Sequence, residues 1–226
     1  MSQSISLILL AGGIGSRMGA ATPKQFLLLK GKPVALHSLE LFASFDEIAE
    51  IIVVCAPEHQ PFFSGIRPLS FALPGERRQD SLWNGLQKIS TTCDLVCVHD
   101  AARPCLQRSD FEKLLDEARE HPAVALATPV KYTIKQTGEN GFVTTTLDRA
   151  NLWEIQTPQI APLSLLKQGF KIAQERNLTV SDDLSLVELT GYPVKLVTGS
   201  SSNIKLTTPE DWAAVNSLAC TDTSSS

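Results

Sequence analysis

The sequence of 226 residues predicts an α/β fold, a doubly wound and mostly parallel sheet with helices on both faces. Apolar runs bounded by glycine, proline or charge are typical of strands buried on both faces, and they occupy residues 5–10, 51–56, 95–99 and 123–128. Between these runs apolar residues recur at helical spacing, as at Leu82 and Leu86 and at Phe111 and Leu114. This alternation of strand and helix favours parallel pairing.

Composition bounds the domain organisation. With 43% hydrophobic residues the chain can bury a full core, and no segment resembles a linker between two large domains. We therefore expect a single domain over residues 1–220, followed by a frayed polar tail at 221–226.

One segment, at about 131–153, interrupts the strand and helix rhythm. Residues 132–136 and 142–147 are rich in Thr, Ile, Val and aromatics, and Asn140-Gly141 lies between them, which predicts a β-hairpin. A two-stranded hairpin with so many polar residues is marginally stable alone. We expect this segment to be an arm that packs against a second copy of the chain and makes a homodimer.

The carboxyl-terminal third predicts helices near residues 162–175 and 183–190 and a strand at 194–198. A last helix begins at Thr208-Pro209, because the threonine can cap it and proline suits the first helical position.

Charge and composition exclude several classes of partner. The net charge of -4, with acids and bases interspersed, leaves no basic stripe for a nucleic-acid backbone. The apolar run at 5–10 is too short to span a bilayer and no basic residue precedes it, so we expect a cytoplasmic protein without a membrane segment. Five cysteines without CxxC spacing and four histidines without ligand spacing favour buried thiols and disfavour a zinc site.

A glycine-rich turn follows the first strand. Gly12, Gly13 and Gly15 let the backbone approach a ligand and direct N–H groups at phosphate oxygens, and Arg17 and Lys24 add full positive charges. Such glycines alone would more often make a tight turn, but the two cations favour a phosphate site. The pattern is neither a Walker loop nor the dinucleotide fingerprint.

A second polar segment comes directly after the apolar run at 95–99. Asp100 and Arg103 place a carboxylate and a guanidinium at the carboxyl end of a buried strand, where open α/β sheets bind ligands. Lys205, in Asn203-Ile204-Lys205, adds a further cation near the far end of the chain. With the glycine loop these segments indicate a nucleotidyltransferase.

The motifs also resemble a known family. The loop 11–18 followed by Pro23-Lys24-Gln25 resembles the signature of cytidylyltransferases that activate polyol phosphates, with Gly12 where alanine is commoner. Further matches lie at 75–81, 100–104, 148–149, 152–153, 156–159, 181–183 and 203–205. By these the chain is identified as a member of the 2-C-methyl-D-erythritol 4-phosphate cytidylyltransferases, whose Rossmann-like fold is of the nucleotide-diphospho-sugar transferase type. Ser181 and Leu184 depart from the usual threonine and alanine.

The resemblance implies a reaction in which the phosphate of methylerythritol phosphate attacks the α-phosphorus of CTP in line and pyrophosphate leaves. It implies Mg²⁺ held mainly by the CTP phosphates, with no protein ligand assigned. The implied catalytic residues are all cations: Arg17, Lys24, Arg149 and Lys205. The implied nucleotide contacts are Ala11, Gly12, Gly13, Gly15, Gly75, Ser81 and Ala101. The implied acceptor contacts are Asp100, Arg103, Thr133, Thr157 and Ser181.

Alternatives to these assignments stay open at this point. Ribitol-5-phosphate cytidylyltransferases share the glycine loop, although Ala102 and the arm with Arg149 favour the methylerythritol enzyme. A sugar-1-phosphate nucleotidyltransferase is a second enzyme alternative. A nucleotide-binding regulator with the same fold is the alternative without catalysis, and it is disfavoured because Lys24, Arg149 and Lys205 are all present. Among single residues, Ser81 could cap its helix and Thr157 could be a plain strand residue.

Overall fold

The computed structural model describes residues 4–13, 22–90 and 93–221, with the side chains of the last helix described as far as Leu218. The strands in this part of the chain are β1 (Ile5–Leu10), β2 (Leu28–Leu29), β3 (Lys32–Pro33), β4 (Ile48–Val54), β5 (Ser70–Ala72), β6 (Leu95–Asp100), β7 (Val124–Pro129), β8 (Lys135–Thr137), β9 (Val143–Thr146), β10 (Trp153–Pro162) and β11 (Lys195–Thr198). The α-helices are α1 (Val34–Ala43), α2 (Arg78–Leu86), α3 (Arg108–Glu120), α4 (Leu163–Glu175), α5 (Leu184–Glu188) and α6 (Pro209–Thr221). Short 3₁₀ turns lie at Lys24–Phe26, Pro57–Phe63 and Arg149–Asn151. No helix within these ranges is both long and apolar enough to cross a bilayer.

Seven strands form one sheet in the order β11-β7-β10-β6-β1-β4-β5. Strand β1 pairs in parallel with β4 and β6, so that Ile8 lies between Ile52 and Val98. Strand β10 is antiparallel to both of its neighbours, β6 and β7, whereas β11 is parallel to β7. The prediction of a doubly wound, mostly parallel α/β sheet is confirmed.

The two faces of the sheet bury separate apolar clusters, because successive side chains of a strand point to opposite faces. Leu7 and Leu9 of β1 pack with residues of α1 and α3, including Phe42 and Phe111. Ile8 packs on the other face, where α2, α4 and α5 contribute Leu82, Leu86, Leu166, Ala173, Leu184 and Leu186. The helices therefore cover both faces and leave the carboxyl ends of the parallel strands open.

Strand β10 is the largest difference from the sequence-based expectation, which placed no strand between the arm and α4. It lies near the middle of the sheet, although Pro158 stands inside it. Proline ordinarily argues against a central strand because it cannot donate to the ladder. Here the pairing of β10 with β7 shifts register between Ile155 and Gln159, and Pro158 falls within that irregularity.

The other elements match the predictions with shifted ends. Strand β4 begins at Ile48, three residues earlier than expected, and the hairpin strands β8 and β9 are shorter than the predicted runs. Helix α1 and strand β5 were not predicted individually. Thr221 belongs to α6, and the rest of the predicted tail lies outside the described residues. The single domain at 1–220 stays a prediction.

Helices α4 and α5 touch at Gly169, which makes a specific prediction possible. A Cβ at this position would lie 2.1 Å from the backbone oxygen of Leu186, so α5 would have to move. We expect Gly169→Ala to lower the free energy of unfolding by about 1–3 kcal/mol despite the better helix propensity of alanine. Urea denaturation of the variant and of wild type measures this difference in the free energy of unfolding. Gly138→Ala is the matched control, since its Cβ would meet only Thr144 at an ordinary 3.6 Å. Equal stability of the two variants would contradict the prediction.

Candidate active site

Two cavities lie side by side at the carboxyl edge of the sheet. The first, of about 320 Å³, is lined by residues that follow β1, β5 and β6, including Gly12, Gly13, Lys24, Gly75, Ser81 and Ala102. The second, of about 350 Å³, is lined by residues of β10 and of the segment before α5, including Thr157, Gln159, Ser181 and Asp182. Arg78, Asp100 and Lys205 line both, so these three residues form the wall between the cavities.

Asp100, the last residue of β6, is the centre of that wall. Its carboxylate is nearly buried and contacts three cations. Oδ1 accepts hydrogen bonds from Nε and Nη2 of Arg78 at 3.1 and 2.9 Å. Oδ2 lies 2.8 Å from Nζ of Lys205 and 3.8 Å from Nε of Arg103. Burial alone would raise the pKa of Asp100, but the positive charges of Arg78, Lys205 and Arg103 outweigh it and hold that pKa well below its usual range.

Arg78, at the start of α2, joins Asp100 to the segment before α5. Besides its bonds to Asp100, its Nη1 and Nη2 donate to the two oxygens of Asp183 at 2.5 and 2.9 Å. Asp183 is almost completely buried. A forked guanidinium can serve two carboxylates at once, which a lysine ammonium does with less geometric control. Arg78 therefore ties the edge of the sheet to residues 181–183.

His99 and Thr157 support the Asp100 segment from within the core. The Thr157 hydroxyl accepts a hydrogen bond from the Asp100 N–H at 3.0 Å and lies 3.2 Å from Nδ1 of His99. Nε2 of His99 lies 3.3 Å from the carbonyl oxygen of Arg103, which can only accept, so Nε2 carries the proton. Nδ1 then accepts from Thr157. Burial lowers the pKa of His99 to about 3, so the ring is neutral near pH 7.

Two glycines of the first cavity have no room for a side chain. A Cβ on Gly12 would lie 2.4 Å from Cβ of Pro74, and one on Gly75 would lie 2.4 Å from Cβ of Asp80. The Gly75 N–H donates to the Ser81 hydroxyl at 2.9 Å. The backbone at both glycines therefore packs tightly against its neighbours at the cavity wall.

The structure brings most of the predicted site residues together. In the first cavity lie Gly12, Gly13, Lys24, Gly75, Ser81, Asp100 and Lys205. In the second lie Asp100, Arg103, Thr157, Ser181 and Lys205. Ala11 and Ala101 are buried and line neither cavity, and their N–H groups donate to the carbonyl oxygens of Val54 and Leu10. Gly15 and Arg17 lie outside the described residues.

Thr133 and Arg149 are the predicted site residues that lie elsewhere. Both are exposed, both belong to the arm region, and neither lines either cavity of the same chain. The Arg149 guanidinium donates through Nη1 to the carbonyl oxygen of Lys131 at 2.6 Å.

Sequence reasoning missed four polar residues of the site: Gln25, Arg78, Asp183 and Asn203. Each lies inside a segment that carried the resemblance, but sequence could not separate Arg78 from the adjacent Arg77, whose side chain is half exposed and pairs with Asp80. Asn203 is fully buried and donates to Gln156 and to the Thr157 carbonyl. Gln25, Asp183 and Asn203 are buried and Arg78 is partly buried, and a single sequence does not reveal this.

The carboxylates of the site do not form a metal cage. Within residues 4–13, 22–90 and 93–221 no three of the histidine, cysteine, aspartate and glutamate side chains are grouped as a metal site would need. Both oxygens of Asp100 already face cations, so that carboxylate has little left to offer a divalent ion.

An open sheet with glycines directly after its first strand and cations around a cavity at the carboxyl edge defines a nucleotidyltransferase of the Rossmann-like kind. Comparison with known proteins gives the family. The model of the family "IspD: 2-C-methyl-D-erythritol 4-phosphate cytidylyltransferase" matches residues 5–219. The chain belongs to this family, and its activity is the formation of 4-diphosphocytidyl-2-C-methyl-D-erythritol from CTP and 2-C-methyl-D-erythritol 4-phosphate.

Proteins similar in sequence and proteins similar in structure both support this family assignment. The chain is 49% identical to the chloroplastic 2-C-methyl-D-erythritol 4-phosphate cytidylyltransferase of Oryza sativa, over 92% of this chain and 72% of that protein. It is 45% identical to the Chlamydia pneumoniae enzyme, over 94% of this chain and 98% of that protein. The crystal structure of the Francisella tularensis enzyme superposes with a TM-score of 0.83 at 30% identity, covering 96% of this chain and all of that one.

The three cations around Asp100 make a prediction about stability. We expect Asp100→Asn to lower the free energy of unfolding by about 3–5 kcal/mol near pH 7, because Arg78, Lys205 and Arg103 lose their shared counter-ion. The pKa of Asp100 is lower in the folded state, so the wild-type advantage is present above the unfolded pKa of about 4 and shrinks as the pH falls below it. Chemical denaturation at several pH values measures this.

The control for that experiment is Asp116→Asn. Asp116 also pairs with an arginine, Arg119, but both side chains are well exposed, so a loss below about 1 kcal/mol is expected. A loss at Asp100 as small as the loss at Asp116, or one that does not depend on pH, would show that the cluster is not held by its charges.

Proposed function

We propose that the first cavity binds CTP, that the second receives the acceptor, and that the wall of Arg78, Asp100 and Lys205 lies where the two reactants meet. The observation that carries this proposal is that Lys205 lines both cavities. A single ammonium at that place can contact the triphosphate and the incoming phosphate together. Asp100 orients it, since the Lys205 Nζ lies 2.8 Å from Oδ2.

The reaction requires the protein to supply positive charge and to align the two reactants, and it does not require a protein base. The second pKa of a phosphate monoester is about 6, so the acceptor is already a nucleophile near pH 7. Its oxygen attacks the α-phosphorus of CTP, the bond to the bridging oxygen breaks, and pyrophosphate leaves with the electron pair. His99 takes no part as a base, because it is buried and bonded to Thr157 and Arg103.

The cations divide the work between the reactants. Lys24, with Arg17, holds the triphosphate and stabilises charge that grows on the α and bridging oxygens. Arg103 lies at the second cavity, and its buried Nε has no hydrogen-bond partner in the described part of the chain, which supports its role toward the acceptor. Thr157 and Ser181 line the same cavity, as acceptor contacts would.

Mg²⁺ accompanies CTP in this proposal. Bound to the phosphates, it supplies neutralisation of their charge. The protein contribution is Lys24 and Lys205 on the same triphosphate, with the glycine backbone at Gly12 and Gly13 beside it. Asp100 serves Lys205 and Arg78 rather than the metal.

The arm completes the site of a neighbouring subunit in this proposal. Its hairpin exposes large apolar side chains, with Tyr132 79%, Phe142 78% and Val143 57% exposed. Large apolar side chains exposed to this degree are common at interfaces. Thr133 and Arg149 lie on the same arm and away from the cavities of their own chain, so a homodimer would bring them to the partner site. The cytoplasmic location inferred from the sequence stays a prediction.

The acceptor is tested by pyrophosphate release with CTP and Mg²⁺, supplying methylerythritol phosphate and ribitol 5-phosphate in parallel. We expect turnover with methylerythritol phosphate and at least about 100-fold less with Lys24→Ala, because a charge on the transferring phosphate is lost. Faster turnover with ribitol 5-phosphate would show that Ala102 and the arm do not discriminate between the acceptors.

The shared site is tested with purified heterodimers of a Lys24→Ala subunit and an Arg149→Ala subunit, each inactive by itself. If Arg149 serves the partner, one site of the heterodimer contains both wild-type residues and the other contains neither. We therefore expect about half of the wild-type activity per dimer. If Arg149 serves its own chain, neither site is complete and the heterodimer stays inactive. A heterodimer in which both subunits carry Lys24→Ala is the control.

A further inference from the structure

Gln25 is the middle residue of the 3₁₀ turn that also carries Lys24, and it is almost completely buried. Its side-chain Nε2 donates to the carbonyl oxygen of Ala11 at 2.7 Å and to that of Gly13 at 2.8 Å. Two carbonyl oxygens can only accept, so the NH₂ group must face them and the amide cannot be turned over. Both N–H groups of this buried amide are thus hydrogen-bonded to the backbone of residues 11–13.

These two bonds fix the backbone at Gly12. In a trans peptide the carbonyl and the next N–H point in opposite directions, so a carbonyl of Ala11 held toward Gln25 directs the Gly12 N–H away from it. Gly12 and Gly13 line the first cavity. Glycine has the widest choice of backbone conformations of any residue, and a Cβ on Gly13 would meet no described atom within 4 Å, so without the bond from Gln25 the backbone at Gly13 would populate several conformations.

Gln25 is itself held by its neighbours in the chain. Phe26 is buried, and its ring stacks on His59 with centroids 4.2 Å apart and on Phe62 at 5.0 Å. On the other side of Gln25, Lys24 lines the first cavity. Three consecutive residues therefore have different surroundings. Lys24 lines the first cavity, Gln25 binds the backbone of Ala11 and Gly13, and Phe26 packs against His59 and Phe62.

We propose that Gln25 is a positioning residue that sets the backbone of Ala11, Gly12 and Gly13 relative to Lys24 before CTP binds. The inference rests on the proposed function of the first cavity as the CTP site. If this backbone is held in the conformation that binds CTP, the full intrinsic affinity is observed. If the backbone adopts that conformation only part of the time, the apparent affinity for CTP is reduced by the fraction of protein in that conformation. Gln25 thus acts on CTP affinity and leaves the acceptor site alone.

The test compares Gln25→Glu with wild type by calorimetry of CTP binding without acceptor and by steady-state kinetics. The glutamate is nearly isosteric, but its charged form presents an oxygen to two carbonyl oxygens. We expect the Kd and the KM for CTP to rise about 10- to 100-fold at pH 8, a smaller change in kcat at saturating CTP, and an unchanged KM for the acceptor.

A pH readout separates positioning from general damage. Burial beside two carbonyl oxygens raises the pKa of the new carboxyl group, and its protonated form can donate one hydrogen bond. The ratio of the variant Kd to the wild-type Kd should therefore be at least about threefold smaller at pH 6 than at pH 8. Gln168→Glu adds the same charge on the exposed side of α4, and its Kd should stay within about twofold of wild type.

Gln25→Met is the second variant, because it removes both donors without adding charge. It should weaken CTP binding in the same direction and show no pH effect. A Kd for CTP within about twofold of wild type in either folded variant, or equal rises in the KM of both substrates, would overturn the proposal. Loss of the fold in both variants would also overturn it, since Gln25 would then be a core residue. Failure of wild type to release pyrophosphate with either acceptor would instead count against the proposed function.

Discussion

The site depends on one buried carboxylate. Asp100 ends a central strand, and the three cations around it come from the start of α2, from the turn after β6 and from the loop before α6. A buried carboxylate with no partner would be neutral and would hold none of them. Because it is ionised and shared, segments that are far apart in sequence are brought to one edge of the sheet.

The side chains clustered around Asp100 also include more cations than acids. Arg78, Arg103 and Lys205 face the carboxyl groups of Asp100 and Asp183, so among these five side chains the cations outnumber the acids by one. A fixed excess of this sign in a partly buried place attracts phosphate and needs little rearrangement when negative charge grows during transfer. In the proposed function, the ion pairs that stabilise the fold thus also prepare the site for two anionic reactants.

Much of the fold and the site could be predicted from single segments. Strands β1, β6 and β7 are uninterrupted apolar runs, and the resemblance placed Lys24, Asp100 and Lys205 at one edge. Strand β10 could not be predicted, because Pro158 and its polar neighbours do not look like a central strand, and only pairing with β6 and β7 explains them. The contacts of Thr157 also depend on distant segments. Its role as an acceptor contact stays a prediction, and the structure adds that its hydroxyl is bonded to the Asp100 N–H and to His99.

The sequence by itself determined the class of fold, the family and the kinds of charge at the site, because apolar periodicity and local motifs are properties of neighbouring residues. The tertiary structure alone decided which of two adjacent arginines joins the site, since Arg78 reaches Asp183 across 105 positions of the chain. It also decided that Gln25 faces two carbonyls of the glycine loop. Such contacts depend on how distant segments pack, and a local pattern does not encode the partner that a side chain will meet.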